Sequence, residues 1–224
     1  MTNPDPARQA HPNQFALLGQ RRFAPFFWTQ FAGAANDNLF KFAFTVMVTY
    51  QLSVSWLPPS LAGLVIGALF ILPFLLFSAT AGQLTDKLDK HRMVRFVKSF
   101  EIGVMLLAGL GFWQSSPVVL LACVFLMGLH STLFGPVKYA YLPQVLREDE
   151  LTGGNGMIEM GTFVAILVGE IAGAWLATSS FGPALTSVVV IGVAIAGYWV
   201  SRGIPLSPPS DPSLVINWNP LTET

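Results

Sequence analysis

Long apolar runs, separated by short polar or Gly/Pro-rich breaks, dominate the pattern of this chain. A helix needs about 17–25 apolar residues to cross about 30 Å of hydrocarbon. Six runs reach this length: Phe23–Tyr50, Leu61–Ala81, Met93–Trp113, Pro117–Phe134, Asn155–Ala177 and Pro183–Val200. Backbone N–H and C=O groups cannot stay unpaired in lipid, so we expect runs of this length to be α-helices. The pattern predicts an all-α membrane protein, a bundle of six transmembrane helices.

The composition favours the same environment. Hydrophobic residues make up 53% of the chain, charged residues 11%, and the mean hydropathy is +0.57. A soluble domain carries about 25% charged residues, so an unusually apolar soluble protein is the weaker alternative. The formal net charge is zero, and we therefore expect no nucleic-acid partner.

Basic residues flank the predicted spans unevenly. They precede the first span, lie around the second connection, and follow the fourth and sixth spans: Arg8, Arg21, Arg22, Lys87, Lys90, Arg92, Arg95, Lys98, Lys138, Arg147 and Arg202. The other three connections contain no Lys or Arg, and cytoplasmic loops are the ones enriched in these residues. We expect both termini in the cytoplasm, with a tail (1–22) that lacks a signal-peptide core, the bundle (23–202) and a Pro-rich linker (203–224).

The first predicted helix carries ionisable residues near its middle. Asp37 lies about 21 Å along the helix from Phe23, at 1.5 Å per residue. Lys41 follows at i+4, a spacing that allows an ion pair, and Asn36 and Asn38 add amides able to bind a polar headgroup or a coupling ion. Charged groups at this depth are unfavourable by roughly 2.5–3.5 kcal/mol, so they indicate either a substrate or coupling role or a structural pair.

The fifth predicted helix carries two further carboxylates. Glu159 and Glu170 are eleven residues apart, which is three turns plus about 20°, so they share a face. Glu159 lies near the cytoplasmic end, where a solvated or capping role is the alternative to transport. Gly169 and Gly173 form a G-x-x-x-G step, which favours close helix packing.

Other polar residues do not suggest an enzyme. Glu101 in the third helix is ambiguous because Lys98 can neutralise it. His130 has no neighbour at metal-ligand spacing, and the single cysteine, Cys123, has no intrachain disulfide partner. We see no nucleophile–base pair. The sequence therefore predicts no enzyme activity, no metal and no cofactor.

The connection after the second predicted helix is short and charged. Gly82 is expected to end the helix, and Asp86 follows four residues later. Three basic residues then precede the third helix: Lys87, Lys90 and Arg92. Such a hinge can form salt bridges that hold one conformation of a bundle closed, a cytoplasmic gate. The alternative is an ordinary positively charged loop.

This connection resembles the G-x-x-x-D-[RK]-x-G-[RK]-[RK] signature of the major facilitator superfamily. Gly82, Asp86, Lys87 and Lys90 match it, whereas Asp89 replaces the second glycine. Three further stretches resemble the lysophospholipid transporter branch of that family. They are Phe31–Asn38 (FAGAANDN), Phe134–Tyr139 (FGPVKY) and Gly154–Glu159 (GNGMIE).

The resemblance implies a transporter of two six-helix halves, of which this chain is the amino-terminal one. It implies transport of lysophospholipids, such as lysophosphatidylethanolamine, to the cytoplasmic leaflet of the bacterial inner membrane. By position, Asp37, Lys138 and Glu159 would contact the headgroup, with Tyr139 beside them, while Gly82, Asp86 and Lys90 would belong to the gate.

Several alternatives remain open at this point. A second six-helix half must come from a longer gene, a separate chain or dimerisation. The linker around 216–220 also resembles that of transporters fused to an acyltransferase and an acyl-carrier-protein synthetase. The functional alternatives are a half-transporter for another small substrate and a non-transporting membrane scaffold for a lipid acyltransferase.

Overall fold

The computed structural model describes residues 13–52 and 54–217, and all the regular secondary structure within them is helical. A short 3-10 helix, Gln14–Gly19, precedes six α-helices: α1 Ala24–Tyr50, α2 Pro59–Lys87, α3 Lys90–Trp113, α4 Pro117–Val145, α5 Glu148–Thr178 and α6 Gly182–Ser201. Most of the predicted tail, including Arg8, and the linker beyond residue 217 lie outside the described residues.

Four helices in the described part of the chain are long and apolar enough to cross a membrane: α2, α4, α5 and α6. The two others, α1 and α3, carry most of the buried ionisable residues, among them Asp37, Lys98 and Glu101. Whether α1 and α3 also cross the bilayer stays a prediction of the sequence.

Three predicted helix boundaries are wrong. The fourth run is predicted to end at Phe134, but α4 continues to Val145 and so includes Lys138 and Tyr139. Gly82 does not end its helix, since α2 continues to Lys87 and no described glycine has a positive φ. The predicted break at 147–154 also shrinks, because α5 begins at Glu148. There Arg147 and Glu150 form a capping box, and acidic side chains in the first turn favour the positive end of the helix dipole.

A polar layer separates two apolar cores. At the start of α1, Phe23, Phe26 and Phe27 belong to one core. The buried apolar residues from Leu39 to Val48 belong to the other, and the polar positions lie between the two sets. The same order recurs on α3, where Lys98 and Glu101 lie between the cores, and on α4, where His130 does. Three helices thus bring buried polar groups to one level of the bundle.

The G-x-x-x-G step packs α5 against α1, as predicted. A Cβ atom on Gly169 would collide with the backbone oxygen of Ala35, and one on Gly173 with that of Leu39. Both glycines are buried. The absence of side chains lets the two backbones touch, which aligns α5 with the part of α1 that carries Asp37.

Replacing Gly169 with alanine is expected to destabilise the bundle by about 1–3 kcal/mol, the usual range for overpacking a tight contact. Unfolding of the purified protein in detergent, followed by circular dichroism, measures this change. Gly192→Ala on α6 is the matched control, since its Cβ would meet nothing within 4 Å. Equal stability of the two variants would contradict the close contact.

The segment after α6 crosses the ends of α2, α3 and α4. Lys90 anchors it: its backbone N–H donates to Ser207 O at 3.0 Å, and its Nζ donates to Ser210 Oγ at 2.9 Å. Gln144 on α4 donates to Pro208 O at 3.3 Å, and Asp211 N donates to Asp86 O at 3.0 Å. The first part of the predicted linker is therefore packed against the helix ends.

Candidate functional site

A buried ion pair lies at the centre of the polar layer. Lys98 Nζ donates to Glu101 Oε2, and both side chains are almost completely inaccessible. Asn36 Nδ2 donates to the other carboxylate oxygen of Glu101 at 2.7 Å and to Val190 O at 3.1 Å. Every oxygen of this carboxylate therefore has a partner, which is the condition under which a buried charge is tolerated.

Glycines on two helices leave room for the Lys98 side chain. A Cβ atom on Gly197 of α6 would lie 2.7 Å from Lys98 Nζ, and one on Gly33 of α1 would lie 3.4 Å from the same atom. Larger residues at these positions would displace the ammonium. The Lys98 side chain can therefore reach Glu101 only because Gly33 and Gly197 have no side chains to occupy this space.

His130 lies between two carboxylates. Its Nε2 is 3.3 Å from Glu101 Oε2, and its Nδ1 is 3.8 Å from Asp37 Oδ1. Asp37 accepts a hydrogen bond from Ser131 through Oδ2. Three buried atoms of this cluster make no regular hydrogen bond within the described residues: the two ring nitrogens of His130 and Asp37 Oδ1.

A cavity of about 270 Å³ opens beside this cluster. Five helices, α1 to α5, contribute to it around a mostly apolar wall that includes Phe70, Phe74 and Phe134. The predicted site residues Asp37, Asn38, Lys41 and Lys138 all line it, together with Gln30, Lys98, His130, Ser131 and Thr162. Concave, largely apolar sites with a few placed polar groups are typical of small-molecule binding.

The predicted ion pair between Asp37 and Lys41 is not formed in the part of the chain that the structure describes. Lys41 Nζ instead lies over the ring of Phe70, 3.8 Å from its centroid, a cation–π contact across to α2. Lys41 interacts electrostatically with both Asp37 and Glu170. Asp37 and Lys41 both line the cavity, but Asp37 contacts Ser131 on α4 and Lys41 contacts Phe70 on α2.

A second charged pair lies at the edge of the cavity. Lys138 Nζ is 3.5 Å from Glu159 Oε1, and the hydroxyl of Tyr139 donates to the same oxygen at 3.3 Å. Lys138 lines the cavity, whereas Tyr139 is exposed. The structure thus brings together three of the residues predicted on α4 and α5.

Four predicted residues lie outside the cavity wall: Tyr139 and Glu159 at its edge, and Asn36 and Glu170. Asn36 faces away from it, into the contact with Glu101 and α6. Glu170 is half-buried on α5 and is linked to the site only through its electrostatic interaction with Lys41. Asn38 lines the wall, and its amide nitrogen donates to Ala34 O at 2.7 Å within its own helix.

The predicted gate residues lie near the connection between α2 and α3. Arg92 pairs with Asp89 at 3.0 Å on the surface, and Asp86 is exposed. Lys90 is buried by the segment after α6. A Cβ atom on Gly82 would meet nothing within 4 Å, and Lys87 lies in the last turn of α2.

Sequence reasoning missed His130 and Ser131 as members of the site. Both follow a long apolar stretch of α4, and two adjacent polar residues in such a run are a signal that points to a polar centre. Gln30, which hydrogen-bonds Thr162 on α5, gave no comparable signal because it lies in a less apolar part of α1.

Comparisons with known proteins reveal a family match and several similar transporters. The profile of the Major Facilitator Superfamily matches residues 26–219. The lysophospholipid transporter LplT of Photorhabdus laumondii is 28% identical over 176 residues, 78% of this chain and 42% of the relative. That of Enterobacter sp. strain 638 is 28% identical over 199 residues, 87% of this chain and 46% of the relative. The lysophospholipid transporter LplT of Serratia proteamaculans is 26% identical over 197 residues, which are 87% of this chain and 45% of the relative.

This chain spans less than half the length of these relatives. No solved structure matches it significantly. The superfamily suggested by the sequence motifs is confirmed by the profile match, and the relatives that the chain resembles are lysophospholipid transporters.

Proposed function

We propose, since the chain belongs to the Major Facilitator Superfamily, that it is half of a transporter which moves lysophospholipid across the bacterial inner membrane. The apolar helices fit a multi-pass membrane protein, and the relatives named above are transporters rather than enzymes. Transport would carry the headgroup to the cytoplasmic leaflet by alternating access, in which two halves rock around a site between them.

The single observation that carries this proposal is a cavity with both signs of charge in an apolar wall. Lys138 and Lys41 supply cations, and Asp37 supplies an anion. A lysophospholipid such as lysophosphatidylethanolamine has an anionic phosphate and a cationic amine, which these groups match in charge. Phosphate would bind at Lys138 and the ammonium at Asp37.

The volume of the cavity fits the headgroup. At about 270 Å³ it lies close to the lower end of ligand pockets, about 300 Å³. A long acyl chain therefore stays outside it, in apolar surroundings. Phe70, Phe74 and Phe134 form an apolar border between the charged groups and the tail.

In this proposal all six helices cross the bilayer. The ionisable residues of α1 and α3 are buried inside the bundle between two apolar cores. They are thereby kept from contact with lipid, which lowers the free-energy cost of inserting these two helices. The uneven distribution of Lys and Arg supports a cytoplasmic location for both termini, with the tail 1–22 and the linker 203–224. Residues 23–202 form the bundle.

A second six-helix half is the proposed partner. Large apolar side chains are exposed along α5, including Phe163, Leu167 and Ile171, and another six helices or lipid must cover them. The second half comes from a longer chain, a separate chain or a second copy. Gly82, Asp86, Lys87, Lys90 and Arg92 form the proposed cytoplasmic gate against it.

Replacing Lys138 with glutamine is expected to lower lysophosphatidylethanolamine transport by about tenfold or more. The reason is the loss of a charge-assisted bond to phosphate, about 1.5–3 kcal/mol. Uptake of labelled lipid by proteoliposomes that contain this chain with its second half measures the effect. Arg21→Gln is the control, because Arg21 is an exposed cation outside the cavity.

The result separates the alternatives. Loss of uptake in Lys138→Gln but not in Arg21→Gln supports the headgroup site. Normal uptake in both variants would place the phosphate elsewhere. If the unsubstituted protein moved no lysophospholipid, the transporter of another small substrate or the membrane scaffold would be favoured.

A further inference from the structure

Gln30 on α1 brings a neutral amide into the wall of the cavity. The residue is buried, with 5% of its surface exposed. Its Nε2 donates to Thr162 Oγ1 on α5, whereas its Oε1 accepts no hydrogen bond within the described residues. A buried acceptor without a partner is unfavourable. This oxygen therefore indicates a ligand group that the described part of the protein does not itself supply.

The hydrogen bonds of Thr162 determine which end of this amide is left over. The Thr162 hydroxyl has one proton, which it donates to Ile158 O at 2.9 Å. Towards Gln30 it can therefore only accept, and an acceptor requires the amide nitrogen rather than the amide oxygen as its partner. The oxygen is thus the end of the Gln30 amide that remains for a ligand.

The other hydroxyl groups of the cavity wall also use their protons within the protein. Thr29 Oγ1 donates to Pro25 O at 2.7 Å, and Ser131 Oγ donates to Asp37. A hydroxyl group has a single proton, so neither can donate to a second partner. The neutral groups of this wall therefore suit a substrate group that donates a hydrogen bond, such as a hydroxyl.

Gln30 lies close to the level proposed for the substrate phosphate. Phe26 stacks on Phe134 and on Tyr141 of α4. Lys138 lies between these two aromatic residues in its helix, and so at about the level of Phe26. Gln30 is one turn further along α1, about 6 Å at 1.5 Å per residue. Only a few covalent bonds separate the phosphate of a lysophospholipid from its free glycerol hydroxyl, so one molecule can reach both side chains.

We propose that Gln30 recognises the free glycerol hydroxyl of a lysophospholipid and thereby distinguishes it from a diacyl phospholipid, an inference that rests on the function proposed above. The hydroxyl donates to Gln30 Oε1 while the phosphate binds at Lys138. A partial turn of the amide brings its oxygen to the cavity, because the terminal torsion of a glutamine is weakly restricted. In a diacyl phospholipid the same glycerol oxygen is esterified and has no proton to donate. Gln30 Oε1 would then stay buried and unpaired, which disfavours that lipid.

The test compares lysophosphatidylethanolamine with an analogue that carries hydrogen in place of the free hydroxyl. Both lipids have one acyl chain and the same headgroup, so the comparison isolates the hydrogen bond. Initial rates of uptake are measured in proteoliposomes that contain this chain with its second half. The unsubstituted protein should prefer the hydroxyl lipid by about tenfold, the effect of leaving one buried acceptor unpaired.

Gln30→Met is expected to abolish this preference. Methionine is a flexible, unbranched side chain of similar length but has no amide, so the two lipids should be taken up at nearly equal rates. Gln144→Met is the matched control, because Gln144 is exposed on α4 and lies outside the cavity wall. This control should keep the tenfold preference, and its loss in both variants would overturn the assignment to Gln30.

A purely structural role for Gln30 gives a different result. If the amide served only to hold α1 against α5 through Thr162, Gln30→Met would lower the uptake of both lipids by the same factor. The ratio of the two rates would then stay near ten, and recognition of the hydroxyl by Gln30 would be wrong.

The comparison of the two lipids in the unsubstituted protein does not depend on the folding of any variant. Equal uptake of both would overturn recognition of the hydroxyl but leave the lysophospholipid transporter intact. Uptake of neither lipid would overturn the proposed function and this inference with it.

Discussion

Lys98→Met is expected to destabilise the bundle by about 3–5 kcal/mol, the usual effect of removing one partner of a buried ion pair. The variant would leave Glu101 charged and inaccessible, with only Asn36 as a regular hydrogen-bond donor. Unfolding in detergent, followed by circular dichroism, gives the change in free energy of unfolding.

The double variant Lys98→Met with Glu101→Gln tests whether the two side chains interact. Glutamine keeps an oxygen that can accept from Asn36 but carries no charge, so most of the lost stability should return. If the two single effects simply added, the charges would not interact, and Lys98 and Glu101 would not be a pair in the folded protein.

Asp37→Asn is expected to reduce lysophospholipid transport about 10- to 100-fold. The amide has nearly the same shape as the carboxylate and can still accept from Ser131, so the protein should fold. It offers no charge to an ammonium, and a hydrogen bond to a charged group contributes about 1.5–3 kcal/mol. Initial rates of uptake into proteoliposomes measure the loss.

Asp149→Asn is the control for this substitution. Asp149 is an exposed carboxylate in the first turn of α5 and contacts Arg147 at 3.2 Å, outside the cavity. Its removal should leave uptake nearly unchanged. Equal uptake by the Asp37 variant and the unsubstituted protein would mean that no cation of the substrate binds at Asp37.

Local chemistry explains why much of the helix architecture was predictable. The length of an apolar run and the residues at its ends depend only on neighbours in the chain. The G-x-x-x-G step of Gly169 and Gly173 was recognisable for the same reason, since two small residues one turn apart form a smooth stripe. Boundaries at Gly82 and Glu148 were missed because glycine tolerates a helix and a capping box extends one.

The candidate site was predictable only in part. Asp37 stood out because charges in apolar runs are rare, and Lys138 was indicated by the resemblance to lysophospholipid transporters; both line the cavity. Their partners were not predictable. Ser131 and His130 reach Asp37 from α4, and Phe70 reaches Lys41 from α2. The i,i+4 rule identifies neighbours on one helix but is silent about competition from another.

The sequence alone determined that this is a helical membrane protein with charges inside its apolar segments, because hydropathy and helix geometry act over a few turns. Only the tertiary structure decided which charges meet. Lys98 reaches Glu101 between two glycines, and His130 comes between Glu101 and Asp37. These contacts depend on how α1, α3 and α4 are aligned along one another, and that alignment follows from the packing of residues far apart in the chain.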